Sequence, residues 1–317
     1  MLEFQDLTKT FSKKLGPAIS GVNFDVKDGE TLGFVGLNGA GKTTTIRVAA
    51  GVALPTLGSV SVNGKDISKQ KIDASREIGW VPEFPNFDQS SKANSLMIYY
   101  AGFFGIPKAD AEKRTRELFD AVKLSGSENK LLRTYSQGMK KRFSLAASML
   151  ADPQNYLFDE ILNGLDPEGI HFMRDLILDL KKRRKAILLS SHILSEVDTL
   201  SDRVAFIHKG KIIKIASRDE LSGLGTGGRS LRVVVEDLSE SGREYLQGLG
   251  KGVEISSAES GSDRKITVMI QGFQGESYAV NADLVKMGAK VHELSYQKTS
   301  LEDYFFKLVA EQDAATH

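Results

Sequence analysis

From Gly36 to Thr44 the chain reads Gly-Leu-Asn-Gly-Ala-Gly-Lys-Thr-Thr, and this G-x-x-x-x-G-K-[ST] pattern constrains the fold more than any other feature. It follows the apolar run Thr31–Val35 and leads into a helix through Arg47, the strand, loop and helix setting that the pattern requires. Gly36, Gly39 and Gly41 free the backbone to curl, so that its N–H groups, those of Asn38 and Ala40 included, converge on phosphate oxygens. The helix behind them adds the positive end of its dipole. In that setting Lys42 would bind the β- and γ-phosphates, Thr43 would offer its hydroxyl to Mg²⁺, and Thr44 would add a phosphate contact.

A magnesium–phosphate site also needs a carboxylate at the end of a buried strand. Tyr156-Leu-Phe-Asp159-Glu160 supplies two after an apolar run. Asp159 would hold Mg²⁺, directly or through water. Glu160, next in the chain and therefore aimed elsewhere, would polarise the attacking water as general base.

Short apolar or alternating runs at Leu2–Leu7, Ile19–Val26 and Thr31–Val35 predict that the chain opens with β-structure. From Ser91 to Leu124 the periodicity becomes helical, with Leu96, Tyr99, Tyr100 and Phe103 expected on one core face and a break at Gly105-Ile-Pro107. The runs Asn155–Phe158 and Ala186–Leu189 read as buried parallel strands joined by a crossover helix over Ile170–Arg184. This is α/β architecture. Ser222–Gly228 has a linker composition and separates a first domain, 1–221, from a second, 229–317. The second reads βαββαβ, the order of a small α+β ferredoxin-like module. A last helix is expected from a capping box at Thr299-Ser-Leu-Glu302, with a stripe of Leu301, Tyr304, Phe305 and Leu308 docked on the small domain.

Composition removes whole classes of chemistry. The 317 residues carry 42 Lys and Arg against 41 Asp and Glu, so no global field recruits nucleic acid or an anionic membrane. No cysteine is present, which excludes disulfides, thiolate nucleophiles and iron–sulfur clusters. The start, Met-Leu-Glu-Phe-Gln-Asp, lacks a secretory pattern. The most apolar stretch, Leu96–Ile106, falls short of the ~20 residues needed to cross a bilayer. Work at a membrane would therefore need another chain to span it. Lys181–Lys185 and Lys140–Arg142 read as solvated helix faces rather than a nucleic-acid surface.

Together these residues resemble the ATP-binding subunits of ATP-binding-cassette (ABC) transporters, and the resemblance runs through the whole first domain. Tyr135-Ser-Gln-Gly-Met139 is similar to the family's signature loop. Asn163-Gly-Leu-Asp166-Pro resembles the loop that crosses the dimer interface after the catalytic glutamate, and His192 the switch histidine. Phe11 matches the aromatic residue that stacks on adenine.

The resemblance implies a P-loop ATPase domain with a mixed β-sheet core, an antiparallel β-subdomain and a helical subdomain. It implies a homodimer that sandwiches ATP head to tail, each subunit giving its phosphate loop to one site and Ser136 and Gly138 to the other, with Asp166 coupling the two. Lys42, Glu160, His192 and Glu83 would be catalytic, and ATP and Mg²⁺ the ligands. The partner would be a separate integral-membrane permease, the location the cytoplasmic face of the cell membrane, and no nucleic acid is expected. In the family the helical region with Tyr99 and Phe103 helps to receive a permease helix.

Two departures stand out. Val81-Pro82-Glu83 puts a carboxylate where the family usually has glutamine. Glu83 can still bind the cation or accept from water. Ile161-Leu162 replaces the usual Pro-Thr after the catalytic glutamate. With the signature variant and the appended small domain, Glu83 is similar to the drug- and antibiotic-export branch. The alternatives are a soluble ABC ATPase acting on ribosomes or DNA, and a nucleotide-binding regulator.

Overall fold

The computed structural model describes residues 1–224, 229–250, 252–257, 265–273, 275–297 and 300–314. They form two compact units, Met1–Ser217 with the chain from Leu308 onward, and Arg218–Lys307.

The strands of the first unit are β1 (Leu2–Lys9), β2 (Ile19–Val26), β3 (Thr31–Val35), β4 (Leu57–Val62), β5 (Lys65–Asp66), β6 (Ile78–Val81), β7 (Asn155–Asp159), β8 (Ala186–Ser190), β9 (Arg203–His208) and β10 (Lys211–Ser217). They build two sheets, an antiparallel one in the order β2-β1-β4-β5 and a six-stranded mixed one in the order β10-β9-β3-β8-β7-β6. In the second sheet β6, β7, β8, β3 and β9 run parallel and β10 antiparallel. Every residue of β3, β7 and β8 is buried, as expected of parallel strands covered on both faces. One apolar core lies around the two sheets, with Phe4, Phe24, Phe34 and Ile46, and another joins the six-stranded sheet to the helices, with Phe119, Phe143 and Phe158.

The first-unit helices are α1 (Lys42–Ala49), α2 (Lys71–Ser75), α3 (Ala93–Phe103), α4 (Lys108–Ala121), α5 (Gln137–Ser148), α6 (Pro167–Lys182) and α7 (Leu194–Leu200). In α3 the expected face is corrected in part: Leu96 is in the core and Tyr100 packs against it, but Tyr99 and Phe103 do not. Ala93, Leu96, Met97 and Ala101 are buried, whereas Tyr99 and Phe103 are each 63% exposed. Leu96, Met97 and two alanines thus make the core stripe, and the i,i+4 pair Tyr99 and Phe103, with ring centroids 5.0 Å apart, is left on the outside. The basic run at the end of α6 is occupied by carboxylates: Lys181 pairs with Asp202, and Arg183 and Lys185 with Asp152.

The second unit holds α8 (Arg218–Leu224), β11 (Arg229–Glu236), α9 (Glu240–Gly248), β12 (Gly252–Ser257), β13 (Lys265–Phe273), α10 (Ser277–Lys286) and β14 (Lys290–Gln297). Its sheet is antiparallel in the order β12-β13-β11-β14, the ferredoxin-like arrangement expected from βαββαβ. Leu231, Val233 and Val235 alternate into a core with Leu246 and Leu284. The expected linker is corrected in part, since Ser222–Leu224 complete α8 and 225–228 lie outside the described residues.

The last helix, α11, spans Leu301–Ala314. Thr299 lies outside the described residues. The reciprocal cap falls one residue later, with Asp303 N–H donating to Ser300 Oγ at 3.0 Å and Ser300 N–H to Asp303 Oδ2 at 3.2 Å. The helix does not belong wholly to the small unit: from Leu308 it is part of the first. There Asp313 Oδ1 is 2.7 Å from Lys209 Nζ and 3.0 Å from His208 Nε2.

Candidate functional site

The phosphate loop is shaped by what its glycines approach. A Cβ on Gly36 would sit 2.5 Å from the Ile207 carbonyl oxygen, and Gly41, the N-cap of α1, has φ +115° with Ile19 Cγ2 2.6 Å from where a Cβ would be. Only glycine fits such positions. The turn after β9 supports the loop directly, since Gly210 N–H donates to the Ala40 carbonyl at 2.9 Å.

Asn38, Gly39, Gly41, Lys42, Thr43 and Thr44 share one cleft of about 290 Å³ with Glu83, Glu160, Asn163 and His192. The topology explains the meeting. The loop leaves the carboxyl end of β3, Glu160 follows β7, and His192 follows β8, so all gather at one edge of neighbouring parallel strands, where ligands bind in such sheets.

Lys42 is 6% exposed. Its Nζ donates to the Gly36 carbonyl at 2.7 Å and lies 3.2 Å from Glu160 Oε1. Glu160 Oε2 accepts from Asn163 Nδ2 at 3.1 Å and from His192 N–H at 3.1 Å, and it is 3.0 Å from His192 Nδ1. Both carboxylate oxygens therefore have partners. The backbone of Glu160 adopts φ +50°, a left-handed conformation uncommon for a residue with a side chain. Its N–H is held by Ser190, donating to the carbonyl at 3.1 Å and to Oγ at 3.0 Å.

Asp159 is 1% exposed and its Oδ1 accepts from Thr43 Oγ1 at 3.2 Å and Ser190 Oγ at 3.0 Å. Burial holds its carboxyl above the usual range. The hydrogen bonds from Ser190 and Thr43 pull against that, and the nearby charges of Glu160 and Glu83 reinforce it. A hydroxyl and a carboxylate side by side, with the anion starved of solvation, form an oxygen donor set that suits Mg²⁺. Among the described residues no cluster of three or more His, Cys, Asp or Glu encloses a metal, and none is needed, because Mg²⁺ at phosphate sites takes one or two protein ligands plus phosphates and water.

Ser136, Gly138, Asp166 and Phe11 do not line this cleft. Ser136 caps α5, its Oγ accepting from Met139 N–H at 3.2 Å, and its side is exposed together with Gln137. Just before it, burial pushes the Tyr135 hydroxyl up to about 12, with Glu128 adding to the effect. Asp166 caps α6 through the Gly169 N–H at 2.8 Å. Phe11 is 64% exposed, with Lys9 Nζ 5.0 Å above its ring.

Two residues escaped sequence reasoning. Asn163 was read only as part of a loop, yet its amide grips Glu160. Lys141 was expected on an exposed face. It is half-buried, with Nζ bonded to the carbonyls of Glu160, Ile161 and Asn163. The single signal was three adjacent cations at the start of a helix, which does not say which one turns inward.

The ABC transporter family profile matches residues 19–163. The chain is 34% identical over 310 residues to the bacitracin transport ATP-binding protein BcrA of Bacillus licheniformis, covering 98% of this chain and 97% of that one. It is 31% identical over 255 residues to the Nod factor export ATP-binding protein I of Burkholderia orbicola, covering 80% and 83%. A solved structure of the ATP-binding subunit of an ABC transporter, 28% identical, superposes with a TM-score of 0.65 over 70% of this chain and 92% of that one. A phosphate loop facing a strand-end carboxylate pair, on this fold and with likeness along the full length, identifies the chain as a member of the ABC transporter ATP-binding subunits, ATPases that power a membrane transporter.

Proposed function

We propose that this ATPase hydrolyses MgATP between two copies of itself arranged head to tail and drives an export permease made of separate chains. The observation that carries the reading is the grip on Glu160, whose carboxylate is fixed by Lys42, His192 and Asn163 beside the phosphate loop. A carboxylate so oriented serves as general base toward a water in line with the γ-phosphate. Lys42 leaves its ion pair to meet the β- and γ-phosphates, and His192 donates to the γ-phosphate as charge develops. Thr43 and Asp159 would hold Mg²⁺, with Glu83 at its edge, and the cation supplies charge neutralisation on the phosphate oxygens. Phe11 stacks on adenine. Ser136 and Gly138, at the exposed N-terminus of α5, donate to the γ-phosphate of the opposing copy, and Asp166 links the two sites.

The name of one relative, export of Nod factor, supports outward transport, and that of another, transport of bacitracin, supports a transporter. Among the described residues no helix is long and apolar enough to cross a membrane, and the exposed Tyr99 and Phe103 offer an apolar seat for a permease segment at the cytoplasmic face.

The test is to trap a tagged Glu160→Gln form with ATP in its native cells and identify what co-purifies from gently solubilised membranes. A stoichiometric polytopic membrane protein, with the tagged chain as an ATP-bound dimer, is the expected result. Recovery only with ribosomal or DNA-associated partners would overturn the permease, and a monomer that still hydrolyses ATP would overturn both base and sandwich.

A further inference from the structure

The turn that carries Glu160 has an unusual acceptor problem. Ile161 and Leu162 are fully buried, so their side chains anchor the turn in the core and draw its backbone in with them. The carbonyl oxygens of Glu160, Ile161 and Asn163 then need donors that a solvated turn would find in water. Asn163 N–H closes the turn on the Glu160 carbonyl at 3.1 Å. The remaining demand is met by one side chain from another element: Lys141 Nζ donates to the Glu160 carbonyl at 3.4 Å, to that of Ile161 at 3.2 Å, and to that of Asn163.

An ammonium has three donors, and here all three end on one turn. Burial lowers the affinity of Lys141 for its proton, while the charges of Glu83 and Glu160 act in the opposite sense. The cation therefore sits on the carbonyls of the turn and within the field of Glu83 and Glu160, and not on a solvated face.

The consequence lies in what the turn positions. Asn163 Nδ2 holds Glu160 Oε2 at 3.1 Å, so pinning the Asn163 carbonyl fixes the amide that orients the carboxylate. The other face of Lys141 is the helix itself. Lys141 lies one turn into α5, whose N-terminus is Ser136.

We propose that Lys141 is a positioning residue for hydrolysis, a strut that sets Glu160 through the 160–163 turn and ties it to the helix bearing Ser136 and Gly138. Resting on the head-to-tail site proposed above, this gives each subunit a continuous route between the two nucleotides, covalent along α5 and hydrogen-bonded from Lys141 to the turn. When Ser136 and Gly138 engage the partner's γ-phosphate, α5 is fixed, and Lys141 fixes the base of its own site. The strut touches neither nucleotide, so it acts on rate and leaves affinity alone.

The experiment compares the full-length wild type with Lys141→Met, Lys141→Gln and Lys141→Arg in steady-state MgATP hydrolysis, nucleotide binding and thermal unfolding. Lys141→Met is expected to lower kcat by about tenfold while KM and the binding of MgADP stay within about twofold. Lys141→Arg, which keeps a cationic donor, is expected to retain more than about half of the rate, separating positioning from loss of bulk. If Lys141→Met does not fold, Lys141→Gln decides, with an expected fall in kcat of roughly threefold and unchanged KM. An unchanged kcat in the variants overturns the strut, as does a parallel loss of kcat, nucleotide binding and Tm. A wild type without Mg²⁺-dependent hydrolysis would instead overturn the proposed function on which the strut rests.

Discussion

Lys42 Nζ stands 3.2 Å from Glu160 Oε1, and each of the two side chains is only 6% exposed. The cation that would bind phosphate and the carboxylate that would activate water thus neutralise each other at a depth where neither is well solvated. Removing one strands the other, at a cost of about 3 kcal/mol. Lys42→Met is expected to lower Tm, and Glu160→Gln added to it to recover most of the loss. Thermal unfolding of the wild type, both single variants and the double variant measures the coupling. Additive effects would show that the pair contributes nothing to the ligand-free fold.

Asp159 is buried in an environment that disfavours its charge. Burial raises its pKa, helped by Glu160 and Glu83, so the ionised side chain is a cost in the ligand-free chain. Asp159→Asn should raise Tm by a few degrees in the absence of Mg²⁺, equivalent to roughly 1 kcal/mol, and abolish Mg²⁺-dependent turnover. Differential scanning calorimetry in EDTA reads the first, and phosphate release from MgATP the second. A lower Tm in EDTA would contradict the argument.

Phe11 is 64% exposed and so has little to do for the fold. Phe11→Ala should leave Tm unchanged and weaken ATP binding by roughly 1 kcal/mol, about fivefold in Kd, the order expected for losing a base–aromatic stack. Equilibrium titration with ATP measures it. An unchanged Kd would remove Phe11 from the site.

Asp313 fastens the end of α11 to Lys209 and His208, beside the Gly210 N–H that supports Ala40 in the phosphate loop. The hydrogen bond from Lys209, then that from His208, holds its carboxyl below the usual range. The native state therefore binds this proton less readily than the unfolded chain. The contact is in force above the ordinary carboxylate value and is lost as pH falls through the lowered one. Asp313→Ala should speed amide exchange over 308–314 and in the 208–210 turn at neutral pH. Lowering the pH of the wild type below the ordinary carboxylate value should do the same, and unchanged protection in the variant would remove Asp313 as the fastener.

Much of the site is legible in the sequence, because a phosphate loop has a mechanism attached to each position and demands a carboxylate at the end of a neighbouring strand. Thr43 and Asp159 are 116 residues apart in the chain and share a hydrogen bond. Strand patterns located the sheets and the βαββαβ module for a similar reason, since buried parallel strands and alternating antiparallel ones have distinct textures. What escaped was decided by partners far away in sequence. Tyr99 and Phe103 of α3 look like part of a core face until Ala93, Met97 and Ala101 take that role. Lys141 differs from its basic neighbours only in the carbonyls that await it, and nothing near Leu308 tells which unit the end of α11 will join.

That last feature bears on how the protein is made. The first unit is discontinuous: its chain stops at Ser217 and resumes at Leu308, about ninety residues later. On a ribosome moving at ~5–20 residues per second, the first unit would wait on the order of 5–20 s for the segment from Leu308. The turn under the phosphate loop gains its Asp313 anchor only after the intervening unit has been synthesised, which makes completion of the ATPase a late event in the birth of each molecule.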